Sequence, residues 1–375
     1  MKTLAIIGAS YLQRPLVEKA KTLGLRTICF SWEDGAVCKD LCDVFYPISI
    51  TEKEQILDVC RREQIDGVCT IASDVAAPTV AYIAEQMGLR GNTYEAAVRA
   101  NNKYLMRQAF MKAGVPCPRF VCVAKDEDMK RDWRKEFRLP LIVKPSDRSG
   151  SLGVKKVIDW WDLEPAVARA RQVSFRGEAM VEEFVEGREI SVEFISFMAT
   201  HYPLQITDKV TTAPPHFVEL AHHQPSTLTP EQYDEIYGIT ARALDALGIW
   251  NGASHAEYKI TKDGRIAVME IGGRMGGDFI GSDLVWLSTG YDFLRGVIEV
   301  ALDDFHAPVK PYSHHAGVYF LTADTKQVKY YIDHAADYPE IVKAEQTDEE
   351  LRHVQYSAQR SGYLIYQADK KFEIK

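Results

Sequence analysis

No apolar run in this 375-residue chain approaches the ~20 residues needed to cross a bilayer. No block of lysine and arginine stands out, and 45 basic against 53 acidic residues leave a net charge of −8. That balance gives no electrostatic footprint for nucleic acid or an anionic membrane, although it is compatible with a local basic pocket. The seven cysteines, Cys29, Cys38, Cys42, Cys60, Cys69, Cys117 and Cys122, contain no CxxC pair, and their number is odd. Several lie inside apolar runs such as "TICF" and "DGVCTI", so free buried thiols in a reducing cytoplasm are expected and zinc is not. The phosphate-loop pattern GxxxxGK[ST] is absent, and "GASYLQ" after the first apolar run fails the GxGxxG fingerprint. There is no internal repeat and no low-complexity tract. The opening "MKTLAIIGAS" carries one lysine and a short apolar run, and reads as a first β-strand rather than a secretion signal.

What is present is ordinary in bulk. Hydrophobic residues make up 46% and charged residues 26%, the composition of a globular protein. The length implies two or three units rather than one core. Over the first ~95 residues, strand-like and helix-like segments alternate. "TLAIIG", "RTICFS" and "IDGVCTIAS" read as strands, "RPLVEKAKTLG", "EQILDVCRREQ" and "AAPTVAYIAEQMG" as helices, the first and last of which end at glycines. Continuous apolar strands between helices predict a doubly wound parallel sheet, with its ligand edge near Gly8–Ser10 and Ser73–Asp74.

A single helix is predicted over "EAAVRANNKYLMRQAFMKAG". The texture then changes to antiparallel hairpins mixed with helices, from about residue 118 to 300. Within it, "EAMVEEFVEGREISVEFIS" reads as a hairpin turning at Glu186-Gly187. "TTAPPHFVELAHHQPSTLTP" reads as a long ordered loop, a type of segment that often carries function. The tail from about 305 predicts a smaller strand-rich unit.

Residues 265 to 281, "RIAVMEIGGRMGGDFIG", pose the chemical question. An apolar strand ends in Glu270, then five glycines and an arginine follow within eleven positions. With "GASHAEYKIT" it forms a hairpin turning at Lys262-Asp263-Gly264, and counting outward sets Glu257 opposite Glu270 on one face. Two such carboxylates repel, and a divalent cation between them is one remedy, since Mg²⁺ takes one or two carboxylates plus phosphate oxygens. Pairing of each glutamate with its own lysine or arginine is the other, and the hairpin alone leans that way. Gly272, Gly273, Gly276 and Gly277 strip side chains from around Arg274, leaving its planar fork open to a phosphate or carboxylate. Together these features suit a metal–phosphate site.

Two further stretches add to it. In "LIVKPSDRSGSLGV", Lys144 ends an apolar strand and a loop of small residues follows, with N–H groups that can wrap phosphate oxygens. Snorkelling of Lys144 to solvent is the plain alternative. In "AMVEEFVEGREISVEF", the run Glu182-Glu183-Phe184-Val185 offers donors and acceptors to a purine, and Glu189 can accept from ribose hydroxyls. An amphipathic hairpin with a charged outer face explains the same letters.

The order of these elements resembles the ATP-grasp carboxylate–amine ligases, a superfamily with carbamoyl-phosphate-synthetase-like, biotin-carboxylase-like and L-amino-acid-ligase-like members. The resemblance covers nearly the whole chain. It implies α/β and α+β architecture: an N-terminal doubly wound parallel-sheet pre-grasp domain at 1–95, a central ATP-binding subdomain at 96–185, a grasp subdomain with metal and substrate sites at 186–304, and a small C-terminal subdomain at 305–375. It implies that Lys103 and Lys144 reach the nucleotide phosphates, and that the loop with Ser149, Gly150 and Ser151 closes over them. Glu182, Glu183 and Val185 correspond to the adenine-reading hinge, Glu189 to the ribose acid, and Glu257 and Glu270 to the pair that binds Mg²⁺, or Mn²⁺ in its place. Arg274 corresponds to the arginine on the transferring phosphate, with Lys144 and Arg274 catalytic and Gly276 beside the substrate. Many relatives read Glu-Ile-Asn-Pro-Arg where this chain has Glu270-Ile271-Gly272-Gly273-Arg274, a departure that leaves the third protein ligand to the metal open, with water or a substrate oxygen as the substitute. Glu219 and His222 resemble positions over the acceptor site of L-amino-acid-ligase-like members; a self-packed loop explains them equally, and Lys209 is a further candidate.

The implied activity is ATP-dependent joining of a small carboxylate, an amino acid by preference, to an amine through an acyl phosphate. Partners are those small molecules, with no nucleic acid or membrane, and with a homodimer through the first domain as an expectation. Activation of bicarbonate or formate is the neighbouring alternative. A non-catalytic nucleotide-binding protein and a nicotinamide dehydrogenase are rivals from other classes.

Overall fold

The computed structural model describes residues 1–148, 152–212 and 216–375. Three sheets follow one another along the chain. The first contains β1 (Thr3–Ile7), β2 (Arg26–Phe30), β3 (Val44–Tyr46) and β4 (Gly67–Cys69), all parallel in the order β3-β2-β1-β4. Strand β1 alternates its apolar residues between the two faces, as strand geometry requires. Ala5 and Ile7 pack among Ile56, Leu57 and Ile83 from the helices Lys53–Glu63 and Ala77–Met87. Leu4 and Ile6 pack among Leu16, Val17, Phe293 and Val297 from Arg14–Thr22 and Phe293–Ala301. The expected doubly wound sheet is present, one of its covering helices arriving from far along the chain.

The predicted single helix over 95–114 is instead two, Tyr94–Asn101 and Lys103–Lys112. Asn102 is extended, and its Oδ1 accepts from the N–H groups of Tyr104 and Leu105, both at 3.0 Å. Asparagine's side chain competes with the helix for its own backbone and favours the N-cap, which the apolar pattern alone does not reveal. The break places Lys103 at the first helical position.

The second sheet holds β5 (Phe120–Val123), β6 (Leu141–Pro145), β7 (Lys155–Val157) and β8 (Ala179–Glu183), in the order β5-β8-β6-β7. The third has eight strands: β9 (Arg188–Phe197), β10 (Thr200–Thr211), β11 (Glu219–Gln224), β12 (Gly252–Ile260), β13 (Ile266–Gly272), β14 (His315–Leu321), β15 (Ile341–Gln346) and β16 (Gly362–Ala368). Their order is β13-β12-β9-β10-β11-β14-β16-β15.

Two expectations are corrected here. The hairpin read over 178–196 does not form: β8 pairs with β5 and β6, β9 with β10 and β12, and Phe184–Gly187 crosses between the sheets. Local alternation is the same for a hairpin and for two strands that part company, so only pairing partners decide. The loop read over 211–230 contains β11, paired to β10 and β14, because its backbone groups are satisfied by neighbours distant in sequence. The strand-rich tail supplies β14, β15 and β16 to the same large sheet.

That sheet has two distinct faces. Ile190, Val192 and Phe194 of β9 and Ala256, Tyr258 and Ile260 of β12 are buried in one core with the helix Pro230–Leu247. The alternate residues, Glu189, Ser191 and Glu193 beside Lys259, Glu257 and His255, therefore face the other way. A polar face is thereby built opposite the core.

Candidate active site

A cavity of about 320 Å³ lies over this polar face, beneath the second sheet. Glu257 and Glu270 are Cα partners in the β12–β13 ladder, as counted from the sequence, with a bulge directly after Glu257. Both line the cavity. The cation that offsets each is a lysine. Lys209 Nζ lies 2.6 Å from Glu257 Oε1, and Lys103 Nζ 2.8 Å from Glu270 Oε1. Among the described residues, no hydrogen bond reaches Oε2 of either glutamate. Lys209 beside it, against the effect of burial, and His255 hold the Glu257 carboxyl well below the ordinary range. Burial opposes the charge of Lys103, but Glu270 outweighs it and pushes the ammonium up.

Lys144 ends β6 inside the same cavity, paired with the buried Glu182 of β8. Arg107, fully buried on the helix Lys103–Lys112, donates from Nη2 to Glu182 Oε2 at 3.2 Å and to the carbonyl of Met269 at 2.6 Å. Burial raises the Glu182 carboxyl, yet two cations around one carboxylate drive it below its usual value. Lys144 is also pushed down, because burial and the nearby Arg107 and Lys103 outweigh the carboxylate of Glu182. The two shifts agree: the cluster carries excess positive charge, which favours the anion and disfavours the second ammonium.

Arg274 leaves β13 and meets the first sheet. Its Nε and Nη2 donate to the two oxygens of Asp74, each at 2.8 Å. Burial opposes the charge of Asp74, but Arg274 holds its carboxyl below the ordinary range. The bareness of the preceding segment now has a cause. A Cβ on Gly272 would stand 2.9 Å from Asp74 Oδ1 and 3.1 Å from Arg274 Cζ. A Cβ on Gly276 would stand 2.7 Å from His255 Nδ1 and 2.8 Å from Glu193 Oε1. His255 and Glu193 are bonded to each other, and Gly276 N–H donates to Glu193 Oε2 at 3.1 Å. Burial works against a charged His255, but Glu193 and Glu257 overcome it and push the imidazole up to about 9.

At the rim, Lys259 pairs with Glu189, and both line the cavity with Val185. Val185 is buried, and among the described residues no hydrogen bond uses its N–H or C=O. That donor and acceptor are available to the edge of a flat heterocycle.

Lys103, Lys144, Glu182, Val185, Glu189, Glu219, Glu257, Glu270 and Arg274 thus surround one space. The side chain of Glu183 is elsewhere, paired with Arg265 at 2.6 Å. His222 points to the same sheet face but is buried, its Nε2 3.9 Å from Asp278 Oδ2. Gly276 borders a second cavity on that face. Ser149, Gly150 and Ser151 lie outside the described residues. Sequence reasoning passed over Arg107, Glu193 and His255, and put Asp74 at the ligand edge of the first sheet without foreseeing its pairing with Arg274. Two of these had a local signal: Arg107 is four residues after Lys103 on a helix, and His255 is two before Glu257 on a strand.

The residues fit a divalent cation in one respect. Two carboxylates face one cavity with an oxygen each to spare, the share Mg²⁺ takes from protein when phosphates supply the rest. Among the described residues no group of three or more His, Cys, Asp or Glu side chains is placed to hold a metal, and Gly272 offers no donor. Phosphate and water oxygens would have to complete the coordination.

Residues 137–283 match the ATP-grasp domain family. The chain is 31% identical over 246 residues to alanine–anticapsin ligase of Bacillus subtilis, an alignment covering 60% of this chain and 51% of that enzyme. The chain therefore spans about half the length of this curated relative. The L-amino acid ligase of Bacillus licheniformis superposes with a TM-score of 0.82 at 25% identity, over 99% of this chain and 94% of that one. Phosphoribosylglycinamide synthetase of Anaerococcus prevotii does so with a TM-score of 0.78 at 20% identity, over 98% and 94%. No helix among the described residues is long and apolar enough to cross a membrane. Domain, fold and relatives concur: residues 137–283 match the ATP-grasp domain, and the proteins this chain is similar to are named as ligases of that kind.

Proposed function

We propose that the chain activates a small carboxylate, an amino acid, as an acyl phosphate and joins it to an amine, releasing ADP and phosphate. The observation that carries this reading is the convergence of Glu257, Glu270, Lys103, Lys144 and Arg274 on one cavity. A free carboxylate resists amines because oxide would have to leave. Attack of its oxygen on the γ-phosphorus of ATP forms a carboxyl–phosphate bond, breaks the β–γ bridge and frees ADP. The amine then forms the C–N bond, phosphate departs with the acyl C–O electrons, and the nitrogen sheds a proton.

In this reading Val185 reads the adenine edge through its backbone and Glu189 accepts from the ribose. Lys103, Lys144 and Arg274 stabilise charge on the phosphates, where positioning and electrostatics dominate catalysis. Glu257 and Glu270 are the residues that would hold the cation, Mg²⁺ or Mn²⁺. When bound, that cation neutralises phosphate charge. The partners are the small carboxylate and amine; a homodimer through the first domain belongs to the same proposal.

Incubation with ATP, Mg²⁺, amino-acid pools and hydroxylamine tests it. Hydroxamate and acid-dependent ADP are expected. AMP and pyrophosphate, or nucleotide binding without turnover across broad pools, would refute the reading. Glu270→Gln should abolish most of that turnover; near wild-type rates would remove Glu270 from the metal site.

A further inference from the structure

The strands of the second sheet lie within 120–183, so two chain crossings join it to the rest of the molecule: 113–119 ahead of β5 and 184–187 after β8. Glu183 stands where they meet. Its N–H donates to the Arg119 carbonyl at 2.9 Å, and its Oε2 accepts from the Arg119 N–H at 3.3 Å. Its Oε1 accepts from Arg265 Nη2 at 2.6 Å. Arg265 closes the turn between β12 and β13, its carbonyl accepting from the Thr261 N–H at 3.0 Å.

The same turn holds the far end of the second crossing. Gly187 lies against it so closely that a Cβ would collide with the Ile260 carbonyl oxygen and stand 2.9 Å from the Thr261 nitrogen. The span 184–187, which contains Val185, is thus held at both ends by one hairpin. The opposite end of that hairpin carries Glu257 and Glu270. Glu182, Phe184 and Val185 line the cavity and Glu183 does not, as alternation along a strand requires of the residue after Glu182.

We propose that Glu183 is a positioning residue for the nucleotide: its carboxylate, bridging Arg119 and Arg265, fixes Val185 relative to the hairpin that carries Glu257 and Glu270, without touching the base. The proposal rests on the reading of Val185 as the adenine-facing backbone and adds a residue to that site. The resemblance placed Glu183 among the groups that read adenine; here it acts through its neighbour. A displacement of the span by a fraction of an ångström weakens two backbone contacts to the base at once, because hydrogen bonds depend steeply on distance and angle. The Glu183 and Arg265 side chains are 34% and 47% exposed, so water and salt screen the pair, and its removal shifts the span without unfolding the chain.

Calorimetric titration of the full chain with ADP and with inosine diphosphate, each with Mg²⁺, tests it. Glu183→Met and Arg265→Met should each weaken ADP by about two- to fivefold, the scale of a part-exposed ion pair. Both should weaken inosine diphosphate by the same factor, since it differs only in the base edge. The double variant should bind no more weakly than Glu183→Met alone, and the effect of Arg265→Met should shrink at about 1 M salt. In the ligand-free protein, amide hydrogen exchange over 184–187 should speed up in both single variants. A loss confined to ADP would mean that Glu183 touches adenine, and would overturn the proposal. Losses that add in the double variant, wild-type affinity in Glu183→Met, or unchanged exchange over 184–187 would each do the same. A wild-type chain that binds neither diphosphate would sink the nucleotide reading itself, and the exchange measurement then still decides whether Glu183 holds the crossing.

Discussion

Arg274 and Asp74 are 200 residues apart in sequence and bonded through two parallel 2.8 Å contacts. The fork ties the segment after β13 to the first sheet, so the arginine's position depends on a domain that contributes little else to the cavity. An arginine held in this way needs no reorganisation to meet a phosphate.

Asp74→Asn should release Arg274 without disturbing the nucleotide's other contacts. Acid-dependent ADP release is expected to fall by about 10²-fold in kcat, the usual penalty for a misplaced catalytic group, with ATP affinity little changed. Steady-state kinetics beside nucleotide titration separates the two. A loss confined to KM for ATP would contradict the assignment.

Gly272→Asn restores the residue many relatives carry. Here the new Cβ would sit 2.9 Å from Asp74 Oδ1, so the fork must open before any added ligand could help. Activity should drop by roughly the Asp74→Asn factor, and the Mg²⁺ concentration for half-maximal rate should not fall. A lower Mg²⁺ requirement with full activity would show that the side chain is accommodated as a ligand.

Glu182→Gln removes the carboxylate that pairs with both Lys144 and Arg107. Leaving buried cations unpaired costs about 3–5 kcal/mol, measurable by denaturant unfolding. The folded carboxyl is depressed, so its stabilisation is present above its ordinary value of 4.5 and is lost as pH falls through the lower folded value. The gap between wild type and variant should be full at pH 7 and shrink below about pH 4.5. A pH-independent gap would mean that packing, not charge, is what the glutamate contributes.

Asn102→Ala deletes the acceptor for two helix N–H groups. A stability loss of about 1 kcal/mol is expected, with weaker ATP binding because Lys103 follows directly. Unchanged nucleotide affinity would separate the cap from the site.

The letters alone carried the face of the site. The opposition of Glu257 and Glu270 follows from period-two strands and a countable turn, which covalent geometry imposes locally, whereas the grouping of Glu189, Lys144 and Arg274 with them rests on the resemblance to the ATP-grasp ligases. The parallel first sheet was legible for the same reason, since each apolar strand and its helix are contiguous. Tertiary structure decided whom each charge meets: Lys209 with Glu257, Lys103 with Glu270, Arg107 with Glu182, Asp74 with Arg274. It also decided that β8 and β9 part, that β11 is a strand, and that Glu183 meets Arg265. Those pairings depend on the paths of segments tens to hundreds of residues apart, and nothing in a local pattern records the distance between them.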